Sequence, residues 1–383
     1  MNILILSAET VKTGKGGVEQ VAASLTEGFA AGGNGVFHLA WEKTAEEASV
    51  PAQFYFPKKS PLACAENAEF FEKFLHENAI DAVLFNWGIG KEYMFSEITR
   101  RLKVPVAALF HNDPDYYFFR YAKRFLWCIK KHHRMWRQAR KYRWNLEHCD
   151  ALVLLTEGFR AHLAHHLPES QKNSPKIRVI GNPTTFPAQK IDFSAKKKEV
   201  VFVGLDPVQK RPGLMFEIWT RVQDAHPDWQ LKLLGGGENL KATREIAANF
   251  PLKRVSFEGW QKPAPYYRDA SIFCMTSAYE GFPMALGEAA RFACVPVVFD
   301  AFPSARDIVS DGENGIVVRE GEIEKFAAEL SRLMDDSAER EHLGACAARD
   351  VERFSLPAVC ARWLDLFENL KKEIRETNRE NDG

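Results

Sequence analysis

Short apolar runs alternate with stretches of helical periodicity along the whole chain. Residues 3–6 form an apolar run typical of a buried strand, and apolar residues then recur at helical spacing between Val18 and Phe29. Further strands of the first half are predicted at 36–40, 82–85, 106–110, 151–155 and 176–180, with helices at 65–78 and 91–102. Because strands and helices alternate, the pattern indicates a parallel sheet with crossover helices.

The alternation is interrupted between residues 181 and 198 and then restarts. The interruption contains Pro183, Pro187 and a run of three lysines, a composition typical of a linker. Strands of the second half are predicted at 199–204, 230–234, 254–257, 272–275, 295–299 and 316–318. The sequence therefore predicts an α/β protein with two doubly wound domains, over 1–182 and 199–356. A linker is expected at 183–198, and a C-terminal helix and tail at 357–383.

Length and composition agree with two globular domains. The chain has 383 residues, of which 46% are apolar and 27% are charged. Lysine plus arginine and aspartate plus glutamate are equal in number at 51 each, so the net charge indicates no class of partner. Any electrostatic function has to come from local clustering.

Cysteine usage and hydropathy favour a cytoplasmic location. Seven cysteines are scattered without a CxxC pair, which is typical of reduced thiols in a reducing compartment. No apolar run approaches the roughly 20 residues of a membrane-spanning helix. The first residues also lack the basic leader of a signal peptide.

Two glutamates eight residues apart give the clearest chemical pattern. Glu280 follows a predicted strand, Pro283 suits the first turn of a helix, and Glu288 lies within that helix. The backbone N–H groups of Met284 and Ala285 would be free at the helix N-terminus, where a phosphate can bind. A bare pair at this spacing is more often two solvated glutamates. The Gly-Phe-Pro sequence after Glu280, together with a helix of small residues, favours a binding site.

At this motif the sequence resembles the family 4 retaining glycosyltransferases, whose architecture of two Rossmann-like domains facing across a cleft is called GT-B. Residues 276–284 (TSAYEGFPM), 259–261 (GWQ), 305–308 (ARDI) and 312–315 (GENG) are similar to those of lipopolysaccharide-core galactosyltransferases. The resemblance implies that Glu280 contacts hydroxyls of the donor sugar and Glu288 those of the ribose. It also implies a C-terminal helix that crosses back to the first domain. The similarity spans most of the second domain but only a few residues of the first.

A glycine-rich turn lies between the first predicted strand and the first predicted helix. Its sequence, TGKGGVE at 13–19, contains Gly16 and Gly17, which let backbone approach a phosphate at a helix N-terminus. It is neither a P-loop nor the GxGxxG fingerprint of a dehydrogenase. By itself it is equally typical of a flexible turn. The resemblance implies that it faces the donor diphosphate and the acceptor.

Cations follow the strand that ends at Gly204. Lys210 and Arg211 could neutralise a leaving diphosphate, although solvated charge is an equally good reading of the residues alone. The family usually has arginine directly after the glycine, where this chain has Leu205. Lys210 matches the family's lysine, and Arg211 is the candidate that would compensate for the missing arginine.

A histidine follows the strand predicted at 106–110. His111 would lie at the carboxyl end of that strand, and the resemblance implies a hydrogen bond from it to the donor sugar. A plain turn is the alternative interpretation of this segment. Asp113 and Asp115 also mimic the metal-binding DxD of the other glycosyltransferase architecture, but such pairs are common by chance. No metal is expected.

Residues 120–143 combine many lysines and arginines with several aromatic rings and contain no acidic residue. This composition favours an interfacial helix that binds an anionic membrane surface or phosphates of the acceptor. A core helix with a basic outer face is the alternative. Nucleic-acid binding has no support elsewhere in the chain. The residues assigned to membrane or acceptor are Arg120, Lys123, Arg124, Lys130, Lys131, Arg134, Trp136 and Arg137.

Together these patterns predict transfer of a hexose from a UDP-sugar to a lipopolysaccharide or lipooligosaccharide core, or to a related surface glycan. Galactose is favoured over glucose and N-acetylglucosamine, and the reaction is expected at the inner face of the cytoplasmic membrane without a cofactor. A nucleotide-sugar epimerase and a non-catalytic sugar-nucleotide or lipid-binding protein are the alternatives. The predicted catalytic residues are His111, Lys210 and Glu280. The predicted donor-binding residues are Gly16, Gly17, Gly204, Lys210, Arg211, Gly259, Trp260, Gly281, Phe282, Pro283, Met284, Ala285 and Glu288.

Overall fold

The chain divides into two compact units, each built on its own parallel sheet. The computed structural model describes residues 1–12, 17–45, 47–59, 64–86, 93–116 and 128–381, and describes 93–94, 128–131 and 378–381 by their backbone alone. The first unit consists of Met1–Pro183 together with Leu356–Gly383, and the second of Thr184–Ser355.

The strands of the first unit lie in the order β3-β2-β1-β4-β5-β6-β7, and all neighbours are parallel. The strands are β1 (Asn2–Glu9), β2 (Gly35–Glu42), β3 (Gln53–Tyr55), β4 (Ala82–Phe85), β5 (Val106–Leu109), β6 (Ala151–Leu154) and β7 (Ile177–Val179). The helices are α1 (Gly17–Ala31), α2 (Ala65–Glu77), α3 (Tyr93–Arg101), α4 (Cys128–His148), α5 (Phe159–Ala164) and α6 (Glu169–Lys172). Every residue of β4, β5 and β6 is buried, as expected for central strands covered on both faces.

The second unit repeats this architecture with the strand order β10-β9-β8-β11-β12-β13, again all parallel. Its strands are β8 (Lys197–Val203), β9 (Gln230–Leu234), β10 (Val255–Gly259), β11 (Ala270–Met275), β12 (Val295–Asp300) and β13 (Ile316–Arg319). Its helices are α7 (Pro212–Val222), α8 (Glu238–Ala247), α9 (Ala264–Asp269), α10 (Met284–Arg291), α11 (Ser304–Ile308), α12 (Ile323–Asp335) and α13 (Ser337–Asp350). Short 3-10 turns lie at Phe193–Ala195 and Val351–Phe354. The predicted fold of two doubly wound α/β domains is confirmed.

Several elements differ from the sequence predictions, and three of these differences concern β3, β8 and the start of α10. Strand β3 was not predicted, because it is only three residues long and lies at the sheet edge. Strand β8 begins at Lys197, inside the segment expected to be linker, because Lys197 pairs with Ala270 of β11. Pro283 precedes α10 as its N-cap residue and does not lie in its first turn.

The C-terminal helix α14 (Leu356–Asn381) belongs to the first unit and packs on α1, as the resemblance implied. A glycine at position 28 permits this close approach. A Cβ there would lie 2.4 Å from Cys360 Sγ and 2.9 Å from Leu356 Cδ1. Lys371 Nζ of α14 also lies 2.7 Å from Asp81 Oδ1 next to β4. Within the described ranges, every helix is too short or too polar to cross a bilayer.

Candidate functional site

Lys210 and Glu280 lie together where β8 and β11 end in the second unit. Lys210 Nζ is 2.5 Å from Glu280 Oε1, and the two side chains are 19% and 7% exposed. Gln209 Nε2 donates to the other carboxylate oxygen of Glu280 at 3.2 Å. The predicted catalytic lysine and glutamate therefore form a mostly buried ion pair.

The backbone around Gly204 makes room for this lysine. Gly204 has φ +90°, and a Cβ at this position would lie 2.9 Å from Lys210 Cε. The Asp206 carboxylate closes the following turn by accepting the backbone N–H groups of Val208 and Gln209, each at 2.8 Å. The lysine side chain can then lie across the end of β8.

Arg211 braces the two loops that carry Lys210 and Glu280. Its guanidinium donates to the carbonyl oxygens of Thr276 at 2.7 Å and Ser277 at 2.9 Å, and to the Glu320 carboxylate at 2.7 Å. Leu205, where the family has arginine, is 3% exposed in the apolar core. This arrangement favours a bracing role for Arg211 over the predicted contact with the diphosphate.

Helix α10 begins directly after the Glu280 loop. The Leu286 and Gly287 N–H groups donate to the Pro283 carbonyl oxygen. Met284 and Ala285 therefore form the first turn of the helix, and both are half-buried. Phe282 is buried and packs edge-on against Phe354, with ring centroids 5.1 Å apart. Gly281 lies in the bend before the helix.

Glu288, on the same helix, is held by two hydroxyl groups. Thr185 Oγ1 makes a short hydrogen bond to Glu288 Oε1, and Tyr267 OH donates to Oε2 at 3.4 Å. Burial raises the pKa of the Glu288 carboxyl, and these two hydrogen bonds oppose that shift. The sequence did not reveal Thr185 or Tyr267 as partners.

Trp260, which follows Gly259 at the end of β10, presents an aromatic surface. The side chain is 80% exposed, and its five-membered ring lies on Gly236, where a Cβ would come 2.2 Å from Trp260 Cδ1. Gly236 therefore has to be glycine for the indole to take this position. An exposed indole at the carboxyl end of a strand can stack on a nucleobase.

In the first unit, His111 lies after β5 and contacts Asn86 at the end of β4. His111 Nε2 donates to Asn86 Oδ1 at 2.9 Å, and Asn86 Nδ2 donates to the Val18 carbonyl oxygen at 3.5 Å. Burial lowers the pKa of the His111 imidazole to about 4. The ring is therefore neutral at pH 7, with Nδ1 as its acceptor. Asn86 was missed, although a polar residue directly after an apolar strand was the available signal.

The described part of the predicted glycine loop begins at Gly17, the first residue of α1, next to Val18. Among the described residues, no heavy atom would lie within 4 Å of a Cβ at Gly17. Gly16 lies outside the described residues.

Asp113 and Asp115 are occupied by histidines. His162 Nδ1 donates to Asp113 at 2.8 Å, and His165 Nδ1 and His166 Nε2 donate to Asp115 at 2.9 and 2.8 Å. The hydrogen bond that His162 donates to Asp113 raises the pKa of the imidazole. In the part of the chain that the structure describes, no group of three or more histidine, cysteine, aspartate or glutamate side chains is suited to hold a metal ion.

Helix α4 has a basic, aromatic outer face and an apolar inner face. Trp136 is 58% exposed, with the Arg140 guanidinium 5.8 Å from its ring centroid. On the opposite face the Tyr142 ring packs against Phe110, with centroids 4.7 Å apart. Of the residues predicted here, Arg137 is exposed and Arg134 half-buried, the side chains of Lys130 and Lys131 are not described, and Arg120, Lys123 and Arg124 lie outside the described residues.

Two family models match consecutive parts of the chain. Residues 15–184 match Glycosyltransferase Family 4, and residues 184–350 match Glycosyl transferases group 1. The boundary between the matches coincides with the boundary between the two units. Together the two models cover residues 15–350, and the chain belongs to the glycosyltransferases that they describe.

Among curated relatives, the amylovoran biosynthesis glycosyltransferase AmsD of Erwinia amylovora is 27% identical over 226 residues, covering 57% of this chain and 62% of the relative. The lipopolysaccharide 1,6-galactosyltransferase of Salmonella typhimurium is 27% identical over 211 residues, covering 52% and 55%. The chain thus spans a little over half the length of these relatives.

Solved structures share the fold over nearly the whole chain. The lipopolysaccharide outer core galactosyltransferase WaaB in its apo form has a TM-score of 0.68 at 19% identity, covering 96% of this chain and 100% of that one. Anabaena HepE in complex with UDP and glucose has a TM-score of 0.71 at 14% identity, with the same coverage. At these identities the likeness shows the GT-B fold alone.

Proposed function

We propose that the chain is a retaining hexosyltransferase that moves a sugar from a UDP-sugar to a lipopolysaccharide-type or related surface glycolipid. The observation that carries the proposal is the Lys210–Glu280 ion pair beside the start of α10. Family membership supports glycosyl transfer. The names of the Erwinia and Salmonella relatives support a surface polysaccharide as acceptor.

The second unit would bind the donor. One N–H of the Lys210 ammonium is used by Glu280, and the others can bind the diphosphate that leaves with the nucleotide. The first-turn N–H groups of Met284 and Ala285 add a positive helix end. Glu280 would accept hydroxyls of the sugar, Glu288 those of the ribose, and Trp260 would stack on the base.

The first unit would supply His111 and the acceptor surface. Because its imidazole is neutral at pH 7, His111 can hydrogen-bond the donor sugar without placing a positive charge beside a developing oxocarbenium centre. Following the family resemblance, the acceptor oxygen bonds to the anomeric carbon on the face from which the diphosphate departs. The acceptor's proton passes to the departing phosphate oxygen, and configuration is retained.

The outer face of α4 would dock on anionic lipid or on acceptor phosphates. Exposed cations with an exposed indole are the composition of an interfacial helix. This surface favours a glycolipid acceptor over a free sugar, and hence transfer over epimerisation. Galactose is the first donor sugar to test because of the Salmonella relative.

The test is a transfer assay with a panel of UDP-sugars, with and without core glycolipid, followed by mass spectrometry of the lipid and by release of UDP. We expect one hexose added per acceptor and turnover that depends on the acceptor. UDP release or sugar inversion without acceptor would indicate the epimerase. Binding without turnover would indicate a non-catalytic protein. We expect the same transfer activity after addition of EDTA. A loss of transfer activity in EDTA would implicate a metal ion.

A further inference from the structure

Glu288 has both carboxylate oxygens anchored and still has acceptor capacity to spare. Thr185 donates to Oε1 and Tyr267 to Oε2, whereas a carboxylate offers about four lone-pair sites. The remaining sites lie on both oxygens of one carboxylate, a geometry suited to a pair of neighbouring hydroxyls. A ribose presents such a pair.

Both hydroxyl donors rest on a rigid scaffold inside the second unit. Tyr267 is fully buried, and its carbonyl oxygen accepts from Lys196 Nζ at 3.0 Å. Next to Thr185, the Thr184 N–H donates to the Phe354 carbonyl oxygen at 2.7 Å. The two hydroxyls therefore reach Glu288 from fixed positions.

We propose that Thr185 and Tyr267 are positioning residues that keep Glu288 ionised and aimed at the ribose hydroxyls of the donor nucleotide. The proposal rests on the proposed function of the same site. An ionised carboxylate accepts two hydroxyl hydrogen bonds, whereas a protonated one has to use an oxygen as a donor. The hydroxyls of Thr185 and Tyr267 thus set the acid limit of nucleotide binding.

The pKa of Glu288 determines on which side of this acid limit nucleotide binding is lost. Burial raises it, and the hydrogen bonds from Thr185 and Tyr267 hold it down. Binding is therefore complete above this pKa and is lost as the pH falls through it. Without the Thr185 hydroxyl the pKa rises further, so the loss begins at a higher pH.

Other titratable groups lie near Glu288, and their titration would affect nucleotide binding at other pH values. Burial raises the pKa of Tyr267 well above its usual value, and burial also raises that of Cys294. Burial lowers the pKa of Lys196, whose ammonium donates to backbone carbonyl oxygens and to Cys294 Sγ. Deprotonation of Lys196 would weaken the site as the pH rises, whereas protonation of Glu288 weakens it as the pH falls. Arg291 is ion-paired with Glu352.

The experiment measures UDP affinity by calorimetry between about pH 5 and 8. Four variants are compared with the wild-type chain: Thr185→Val, Thr185→Ser, Glu288→Gln and Thr184→Val. Thr185→Val should move the acid loss of affinity to higher pH, with UDP binding about ten-fold weaker than in the wild-type chain on the acid side. Thr185→Ser keeps the hydroxyl and should restore the wild-type profile. Glu288→Gln cannot ionise and should leave only the titration of UDP itself.

Thr184→Val is the matched control, because it removes a neighbouring threonine hydroxyl that bonds to Phe354 and Arg291 instead of Glu288. It should lower stability without moving the acid limit. A wild-type profile in Thr185→Val, or an equal shift in Thr184→Val, would overturn the inference. Absence of UDP binding to the wild-type chain would instead overturn the proposed function, and the inference with it.

Discussion

The ion pair between Lys210 and Glu280 has a structural role in the second unit and a chemical role in the proposed function. The Glu280 carboxylate is nearly buried, and Lys210 and Gln209 each donate to one of its two oxygens. A pair of this kind contributes little net stability, but removal of one partner leaves a desolvated charge. The two roles can be separated by experiment.

Lys210→Ala and Glu280→Ala should each lower transfer at least ~10-fold, the factor that corresponds to about 1.4 kcal/mol of lost transition-state stabilisation. Each should also cost about 3 kcal/mol of unfolding free energy, because the remaining charge is left without its partner. The double variant Lys210→Met with Glu280→Gln should recover much of the stability and none of the activity. Urea unfolding and initial rates measure the two effects. Wild-type turnover in both single variants would show that the site assignment is wrong.

The His162–Asp113 pair predicts a pH dependence of the first unit. Asp113 raises the pKa of His162, so the folded chain binds this proton more tightly than the unfolded chain. The stability that the pair adds is complete below the unfolded histidine pKa of about 6.5, and is lost as the pH rises through the folded value.

We expect His162→Gln to flatten the decline of unfolding free energy above neutral pH, measured by urea unfolding in a series of buffers. His132→Gln, at an exposed position of α4, is the matched control and should keep the wild-type slope. Identical slopes in His162→Gln and the wild-type chain would contradict the ion pair.

At the scale of elements, two exposed tryptophans mark two different surfaces. Trp260 follows β10 in the second unit and lies on Gly236, and Trp136 lies on the basic face of α4 in the first unit. Each tryptophan is proposed to bind a different ligand, so each serves as the control for the other.

Trp260→Ala should weaken UDP binding about 10-fold, since stacking of one base contributes about 1–3 kcal/mol, and should leave vesicle binding unchanged. Trp136→Ala should weaken binding to vesicles that contain anionic lipid and leave UDP affinity unchanged. Calorimetry and vesicle co-sedimentation provide the two readouts. If Trp260→Ala bound UDP normally, the base would have to lie elsewhere.

How much of each element could be predicted depended on its burial. The central strands are continuous apolar runs, so their positions were evident, whereas β3 is a three-residue edge strand without such a pattern. Glu280, Lys210 and His111 could be placed because each lies shortly after the end of a predicted strand. Contacts between residues far apart in the sequence could not be predicted. Thr185 and Glu288 are 103 residues apart, and Asp113 and His162 are 49 apart, so only the fold brings them together.

For the whole molecule, the proposed functional roles are divided between the two units. The family match changes at residue 184, where the second unit begins, and the donor-binding candidates from Gly204 to Glu288 all lie beyond it. His111 and the basic helix lie in the first unit, which α14 completes by packing on α1. In the proposed function the second unit binds the donor, and the first unit supplies His111 and the acceptor surface.

The anomeric configuration of the new glycosidic bond is the most direct test of the proposed retaining hexosyl transfer. We would incubate the whole chain with UDP-galactose and core glycolipid and determine the anomeric configuration of the product by proton NMR. We expect a galactosylated glycolipid with the α configuration of the donor. A β linkage, or no glycosylated product with this or any other UDP-hexose, would contradict the proposed function.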